Sequence, residues 1–256
     1  MILFQIGWPD GRHDEFALAP GLTVRYRDDG VYVPGFADPA RDWPCIHPGP
    51  LDAWAGRREH PFRIYFDLAS LGRGGPGHLL LDVADTFSLF PPCVRVRIND
   101  HTSDHQLEPG SGEPALTGDL GAARRQQVLV TFPPDRLRVG RNMIEITSIS
   151  GCWFLYDAVT LETPPDTRLA ETQPTLLVEV CPRPAVVARD GRRQQLVHVQ
   201  VANFGPELDA EIVAGEHAVT PVRLSTGRQR VAAYTDTVER ATPRPITLRA
   251  GGKELA

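Results

Sequence analysis

The chain has 256 residues, and its 32 aspartates and glutamates are the side chains that could most readily do acid–base chemistry. Hydrolysis of a glycosidic bond, for example, needs two carboxyl groups held about 5 to 10 Å apart. Among so many carboxylates some pair always meets that spacing, so their number identifies no site. A nucleophilic serine of the G-x-S-x-G type is also absent from the sequence. We therefore expect no catalytic residue and no enzyme activity in this chain.

Histidines and cysteines have few spacings that suit a metal ion. His101 and His105 are four residues apart, as two ligands on one helix face would be, but strand and turn formers surround them. No two cysteines have the C-x-x-C spacing of a zinc site. The four cysteines could form two disulfides in an oxidising compartment, although the sequence favours buried reduced thiols.

Aromatic residues are better candidates for binding, because a ring can stack on the apolar face of a sugar. Trp43 and Trp54 lie in a long Pro-rich loop, residues 38–54, which is either a functional loop or one that its tryptophans anchor to the core. Trp153 and Tyr156 are three residues apart on one predicted strand, so alternation places one of them in the core. The predicted carbohydrate-binding residues are Trp43, Trp54, Trp153 and Tyr156. Further available aromatic residues are Trp8, Tyr26, Tyr32 and Tyr65.

Asp157 is the candidate ligand for a structural calcium ion, the one cofactor that we consider. Small jelly rolls often hold Ca²⁺ between a sheet edge and a loop, with carboxylate and backbone carbonyl oxygens as ligands. In the alternative interpretation Asp157 is an ordinary polar residue that faces out of the last strand of its domain.

Strand signals dominate the elements that must position these residues. In Phe62–Leu68, Val94–Ile98 and Val128–Phe132, apolar residues alternate with polar ones. Glycine- and proline-rich turns separate these segments, as at residues 72–77 and 109–112. Many short strands at such spacing predict an all-β jelly-roll sandwich over residues 1–163.

Residues 164–175 have no periodicity and are predicted to be a linker. Six further strand-like segments follow it within residues 176–256. Their number and spacing predict a second, smaller sandwich of the immunoglobulin or fibronectin type.

The charge pattern argues against two classes of partner. The formal net charge is −5 and the basic residues are scattered, so we expect no binding of nucleic acid. No segment approaches the roughly 20 apolar residues of a membrane helix, so we expect no membrane partner. The start of the chain lacks the basic region and cleavage site of a signal peptide, and both ends suggest a piece cut from a longer protein.

The segment FQIGWPDGRHDEF (residues 4–16) resembles the start of the distal domain of polysaccharide lyase family 4, the rhamnogalacturonan lyases, with Phe4 in place of the usual tryptophan. The resemblance continues through residues 48–50, 65–68, 96–100, 137–146 and 156–162. It implies a galactose-binding-like jelly roll that binds or flanks a polysaccharide. In those lyases cleavage belongs to another domain, so no catalytic residue is carried over. A jelly roll followed by a second sandwich also resembles the region ahead of the catalytic domain in some bacterial proteins similar to family 38 α-mannosidases.

We thus predict a non-catalytic, carbohydrate-binding accessory region of a larger glycan-degrading enzyme. Its expected partners are a polysaccharide and the catalytic domain of the same polypeptide. The alternatives are a scaffold that packs on a catalytic domain, which predicts an exposed apolar patch, and a glycan-active enzyme, which requires a cleft of perturbed carboxyls or histidines. We expect a secreted or periplasmic bacterial protein, and the lack of a signal peptide leaves a cytoplasmic one open.

Overall fold

The structure is a computed structural model that describes residues 1–18, 26–189, 191–215, 218–237 and 245–255. The chain divides into two compact units, Met1–Thr172 and Gln173–Ala256. The described residues include no helix long and apolar enough to cross a membrane.

The regular elements of the first unit are nearly all strands. Its elements in chain order are β1 (Ile2–Gly7), β2 (Gly30–Tyr32), α1 (Pro39–Asp42), β3 (Ile46–His47), a 3-10 turn (Ala53–Ala55), β4 (Phe62–Ser70), β5 (Gly77–Thr86), β6 (Cys93–Ile98), β7 (His101–Gln106), α2 (Glu113–Leu116), β8 (Gln126–Phe132), a second 3-10 turn (Pro134–Arg136), β9 (Gly140–Ser150), β10 (Phe154–Glu162) and β11 (Arg168–Leu169). One sheet has the order β1-β10-β5-β8, with β3 also paired to β10. The other has the order β11-β4-β9-β6-β7, with β2 parallel to β4.

Apolar residues that alternate along the strands fill the core between these two sheets. In β4 the side chains of Phe62, Ile64 and Phe66 are fully buried, while the intervening residues are only partly covered. Residues of β1, β5, β8 and β10 from the first sheet and of β4, β6 and β9 from the second form one hydrophobic cluster. This arrangement confirms the prediction of an all-β sandwich.

The long Pro-rich loop is held by its first tryptophan. The Trp43 side chain is fully buried and makes edge-on contacts with the rings of Tyr32, Phe62 and Tyr156, at centroid distances of 5.9, 5.2 and 5.4 Å. Edge-on aromatic pairs of this kind add to the stabilisation that burial supplies. For Trp43 the structure therefore favours the interpretation in which the tryptophan anchors the loop.

The second unit has its own two sheets. Its strands are β12 (Thr175–Arg189), β13 (Arg192–Asn203), β14 (Leu208–Ala214), β15 (Ala218–Leu224), β16 (Gly227–Asp236), β17 (Ile246–Ala250) and β18 (Lys253–Glu254). The sheet orders are β12-β13-β16 and β15-β14-β17-β18, and a separate hydrophobic cluster is built from both sheets. The immunoglobulin or fibronectin type of this sandwich stays a prediction.

Much of the predicted linker, residues 164–175, packs on the first unit. Strand β11 pairs with β4. The hydroxyl oxygens of Thr167 and Thr172 accept hydrogen bonds from the backbone N–H groups of Gly72 and Asp67, at 3.0 and 3.1 Å. The domain boundaries remain a prediction that truncations can test.

Candidate functional site

Three of the four predicted sugar-binding residues are buried. Trp43 and Tyr156 are 0% exposed and Trp153 is 2% exposed, so none of them presents a ring face at the surface. A buried ring cannot stack on a sugar, and the structure corrects the prediction for these three residues. They stabilise the core instead.

Strand β10 shows why the alternation argument failed. Its pairing with β5 shifts register on both sides of Tyr156, and such bulges change which face a side chain points to. The loop at Gly11 also contacts β10 through Asp157, and the residues from Phe154 to Leu161 are buried without interruption. The Tyr156 hydroxyl is satisfied inside the core by the Nδ1 atom of His47 at 2.8 Å.

Trp54, the fourth predicted residue, is partly buried and packs against the core cluster. The neighbouring Asp52 is buried, and its Oδ2 atom accepts the N–H of Gly49 at 2.7 Å. Burial raises the pKa of Asp52 to about 6, against the opposing effect of its hydrogen bonds. The carbohydrate-binding role of Trp54 stays a prediction.

Asp157 ties a surface loop to strand β10. Its two carboxylate oxygens accept the backbone N–H of Gly11 at 2.8 and 3.0 Å, and burial raises its pKa to about 6. Within the described ranges, no three side chains of the metal-binding types are grouped to hold an ion. Asp157 thus has a backbone partner of its own, and its role as a calcium ligand stays a prediction.

A cleft on the surface of the first unit combines an exposed aromatic ring with polar groups. We call it the Trp8 cleft; its volume is about 560 Å³, and its lining residues are Gln5, Gly7, Trp8, Glu15, Tyr32, Asp38, Pro39 and Ala40. The end of β1, the loop after it, β2 and the start of α1 supply these residues. Trp8 is 67% exposed, in contrast to the buried Trp43 and Trp153.

Gly7 turns the chain so that Trp8 faces outward. Its φ of +75° lies in the region that favours glycine, and a Cβ atom there would come within 2.2 Å of the Phe16 ring. The Trp8 backbone N–H donates to Glu15 Oε1 at 2.8 Å. The next turn is held by the hydrogen bond that the backbone N–H of Gly11 donates to the Asp157 carboxylate. The loop is therefore held through its backbone, which leaves the indole ring uncovered.

Three side chains that line the Trp8 cleft with the indole ring also have oxygen acceptors. The Gln5 amide N–H donates to the carbonyl of Gly7. Glu15 Oε1 accepts the backbone N–H of Trp8, and Asp38 Oδ1 accepts the backbone N–H of Ala40. The amide oxygen of Gln5 and the second carboxylate oxygen of Glu15 and of Asp38 have no hydrogen-bond partner among the described residues. A ring face next to free acceptors can hold a ligand that has an apolar face and hydroxyl donors.

The Trp8 cleft is acidic. Glu15 and Asp38 are carboxylates, and the Asp42 carboxylate beside them is paired with Arg41 at 2.7 Å. Burial and the nearby Asp38 and Asp42 raise the pKa of Tyr32 to about 12, so its phenol stays neutral. Because like charges repel, this lining favours a neutral ligand over an anionic one.

Comparison with known families identifies the first unit. The sequence profile described as "CBM-like: Polysaccharide lyase family 4, domain III" matches residues 2–161. The chain belongs to this family. The match covers most of the first unit and includes every residue of the Trp8 cleft, so the cleft is a feature of the CBM-like domain. A search of curated proteins gave no match.

Several solved structures share a distant likeness with the chain. They include a GH2 β-galacturonidase from Eisenbergiella tayi (14% identity, 80% of this chain and 35% of that one, TM-score 0.25). A β-D-mannosidase from Dictyoglomus thermophilum has 10% identity over 77% of this chain and 28% of that one, with a TM-score of 0.27. Bacteroides uniformis β-glucuronidase 2 has 12% identity over 75% and 24%, with a TM-score of 0.25. The chain thus spans about a third or less of these proteins, and the predicted link to family 38 mannosidases is not confirmed.

The sequence contains residues that predict the exposure of Trp8, although the alternation of apolar residues argues against it. Phe4 and Ile6 point into the core, so strict alternation would place Trp8 there as well. A glycine directly before the tryptophan, and turn residues after it, mark the end of the strand. In this CBM-like domain the residue after that glycine is the one that reaches the surface.

Proposed function

We propose that this chain is a non-catalytic carbohydrate-binding module that holds a neutral glycan in the Trp8 cleft. The single observation that carries the proposal is the exposed Trp8 ring beside three free side-chain oxygens. The proposal is also supported by membership of a CBM-like family.

Stacking and hydrogen bonding would both contribute to the free energy of glycan binding. Covering one face of the Trp8 ring, on the order of 100 Å², contributes about 2 kcal/mol by removal of apolar surface from water. The oxygens of Gln5, Glu15 and Asp38 then accept hydrogen bonds from sugar hydroxyls and orient the ring. Hydrogen bonds to the two charged groups are the stronger ones.

The ionisable groups support a non-catalytic role. A glycosidase acid requires a carboxyl with a raised pKa next to the bound sugar. Burial raises the pKa of Asp52 and Asp157, yet both carboxyls are buried and accept backbone N–H groups of loops. Neither of them lines the Trp8 cleft.

Calorimetric titration tests the proposal. We expect the wild-type chain to bind a neutral galactan or mannan more tightly than polygalacturonate, which the acidic cleft repels. Trp8→Ala should lower the affinity by at least about tenfold, or about 1.4 kcal/mol. Phe90→Ala is the matched control, because it removes another exposed aromatic ring, 54% exposed, from outside the cleft. Absence of binding to the whole panel, or equal losses in both variants, would contradict the proposal.

A scaffold that packs on a catalytic domain of the same polypeptide is the second candidate. Leu51, Leu89 and Phe90 are 54%, 73% and 54% exposed. Their loops meet at residues 151–152, where Leu51 N–H donates to the Gly151 carbonyl and the Phe90 carbonyl accepts from Cys152. Exposed apolar residues grouped in this way are typical of a surface that another domain covers. This role predicts no glycan affinity, so the same titration separates the two candidates.

The setting of such a module is part of the proposal. A catalytic domain of a larger glycan-degrading enzyme would be its covalent partner, and a secreted or periplasmic location would give access to polysaccharide. The covalent partner is supported by the family, whose description names a domain of a lyase.

A further inference from the structure

His13 lies in the loop that carries Trp8, and it has no hydrogen-bond partner among the described residues. The side chain is only 2% exposed, and neither ring nitrogen finds a donor or acceptor in the part of the chain that the structure describes. A buried polar group without a partner costs about 1–3 kcal/mol. Such a group is rare in native proteins, and a missing ligand is one explanation for it.

A second cavity adjoins this histidine. Its volume is about 350 Å³, and its lining residues are Arg12, His13, Asp14, Gly118 and Leu120. Arg12 and Asp14 form an ion pair at 2.8 Å, and their side chains are 66% and 59% exposed. Because these two side chains are at the surface, breaking their ion pair to admit a ligand costs little free energy.

We propose that the cavity beside His13 is a second glycan subsite, which binds a hydroxyl group of another sugar residue in the chain held at the Trp8 cleft. This inference rests on the proposed function and deepens it, because it makes the ligand an oligosaccharide rather than a single sugar. Asp14 lines the second cavity and Glu15, the next residue, lines the first. The two cavities thus border consecutive residues of one loop, which is why we assign them to one ligand.

The chemistry of the second cavity fits a hydroxyl group. Burial lowers the pKa of His13, which keeps the imidazole neutral near pH 7. A neutral imidazole has one donor and one acceptor, and a sugar hydroxyl can satisfy either. The charges of Arg12 and Asp14 neutralise each other, so this subsite, like the Trp8 cleft, has no attraction for an anion.

The loop between the two cavities is firmly attached, as a two-subsite ligand requires. Gly11 donates to Asp157, and the Arg125 guanidinium donates to the Gly11 carbonyl at 3.4 Å. The loop therefore has few conformations to lose when a glycan binds on both cavities.

His13→Phe tests the second subsite in the full chain. Phenylalanine keeps a ring of similar size and removes the two unpaired nitrogens, so we expect the variant to be at least as stable as the wild type. It should bind galactopentaose or mannopentaose, whichever the wild type prefers, about tenfold more weakly. Its affinity for the matching monosaccharide should not change. His101→Phe, on β7, is the matched control and should bind both sugars like the wild type.

The outcomes separate this inference from the proposed function. If Trp8→Ala weakens binding of both sugars while His13→Phe weakens neither, the second subsite is wrong and the Trp8 cleft stands. Equal losses for the monosaccharide and the pentasaccharide in His13→Phe also contradict it. If the wild-type chain binds neither sugar, both proposals fail.

Discussion

The four tryptophans differ in what surrounds them rather than in residue type. Trp43 and Trp153 fill the core, Trp54 is partly covered, and Trp8 is at the surface. The sequence pointed to tryptophan as the residue type that a sugar site would use. Which tryptophan is exposed depends on the positive φ of Gly7 and on the register shifts in β10. The alternation of apolar residues in the sequence predicts neither of them.

The buried carboxyl of Asp52 predicts that the free energy of unfolding depends on pH. Burial raises its pKa from 3.8 to about 6, so between these values the folded chain holds a proton that the unfolded chain releases. Its contribution to the free energy of unfolding therefore increases as the pH falls from about 6 to about 4. Asp52→Asn lacks this titration. We expect the stability of the variant relative to wild type to rise by on the order of 1 kcal/mol from about pH 4 to about pH 7.

Urea denaturation at several pH values measures this effect, with Asp29→Asn as the control. Burial favours a raised pKa for Asp29, but its contacts with His60 and Arg58 keep the pKa below 3.8. The relative stability of the Asp29 variant should then show no such rise between about pH 4 and about pH 7. A constant difference for Asp52→Asn would show that Asp52 is not desolvated in the folded chain.

At the scale of elements, alternation predicted the strands well. Phe62–Leu68, Val94–Ile98 and Val128–Phe132 lie within β4, β6 and β8. It failed for β10, because a strand buried on both faces has no polar side to reveal its orientation. The cleft was missed for a related reason. Its residues come from β1, a loop, β2 and α1, which only the tertiary fold brings together.

The attachment of the Trp8 loop to β10 gives a prediction at this scale. Asp157→Ala removes both acceptors of the buried Gly11 N–H, which should lower the free energy of unfolding by about 1–3 kcal/mol and weaken glycan binding. Asp157→Asn keeps one acceptor oxygen and should lose less than half as much. Chemical denaturation measures both variants.

A calcium-dependent role for Asp157 would give a different pattern. Both variants would then be equally destabilised, and EDTA would lower the melting temperature of the wild type. We expect EDTA to leave that temperature unchanged, because the carboxylate already has its backbone partner.

At the scale of the whole molecule, the separate hydrophobic clusters of the two units predict that residues 1–172 fold alone. Ending the fragment at residue 163 instead removes β11 and the threonine acceptors for Gly72 and Asp67. We expect the shorter fragment to be less stable by about 1–3 kcal/mol. Thermal unfolding followed by circular dichroism compares them. Equal melting temperatures would place the boundary where the sequence predicted it, at residues 163–164.

The segment after residue 163 shows what sequence could and could not predict about the whole molecule. Residues 164–175 contain several prolines and no periodicity, which is typical of a linker. The two-residue strand β11 and the single hydrogen bonds of Thr167 and Thr172 are too short and too sparse to form a pattern. The existence of two units was therefore predictable, whereas the extent of the first depends on long-range contacts.

Indole N–H resonances test the central claim, that the Trp8 cleft binds glycan, most directly. The chain has four tryptophans, and the Trp8 signal is assigned by its loss in Trp8→Phe. During titration of the ¹⁵N-labelled wild type with the neutral oligosaccharide, we predict that the Trp8 signal shifts in a saturable way. The signals of the buried Trp43 and Trp153 should stay in place. An unchanged Trp8 signal at saturation, or shifts that are largest at another tryptophan, would contradict the claim.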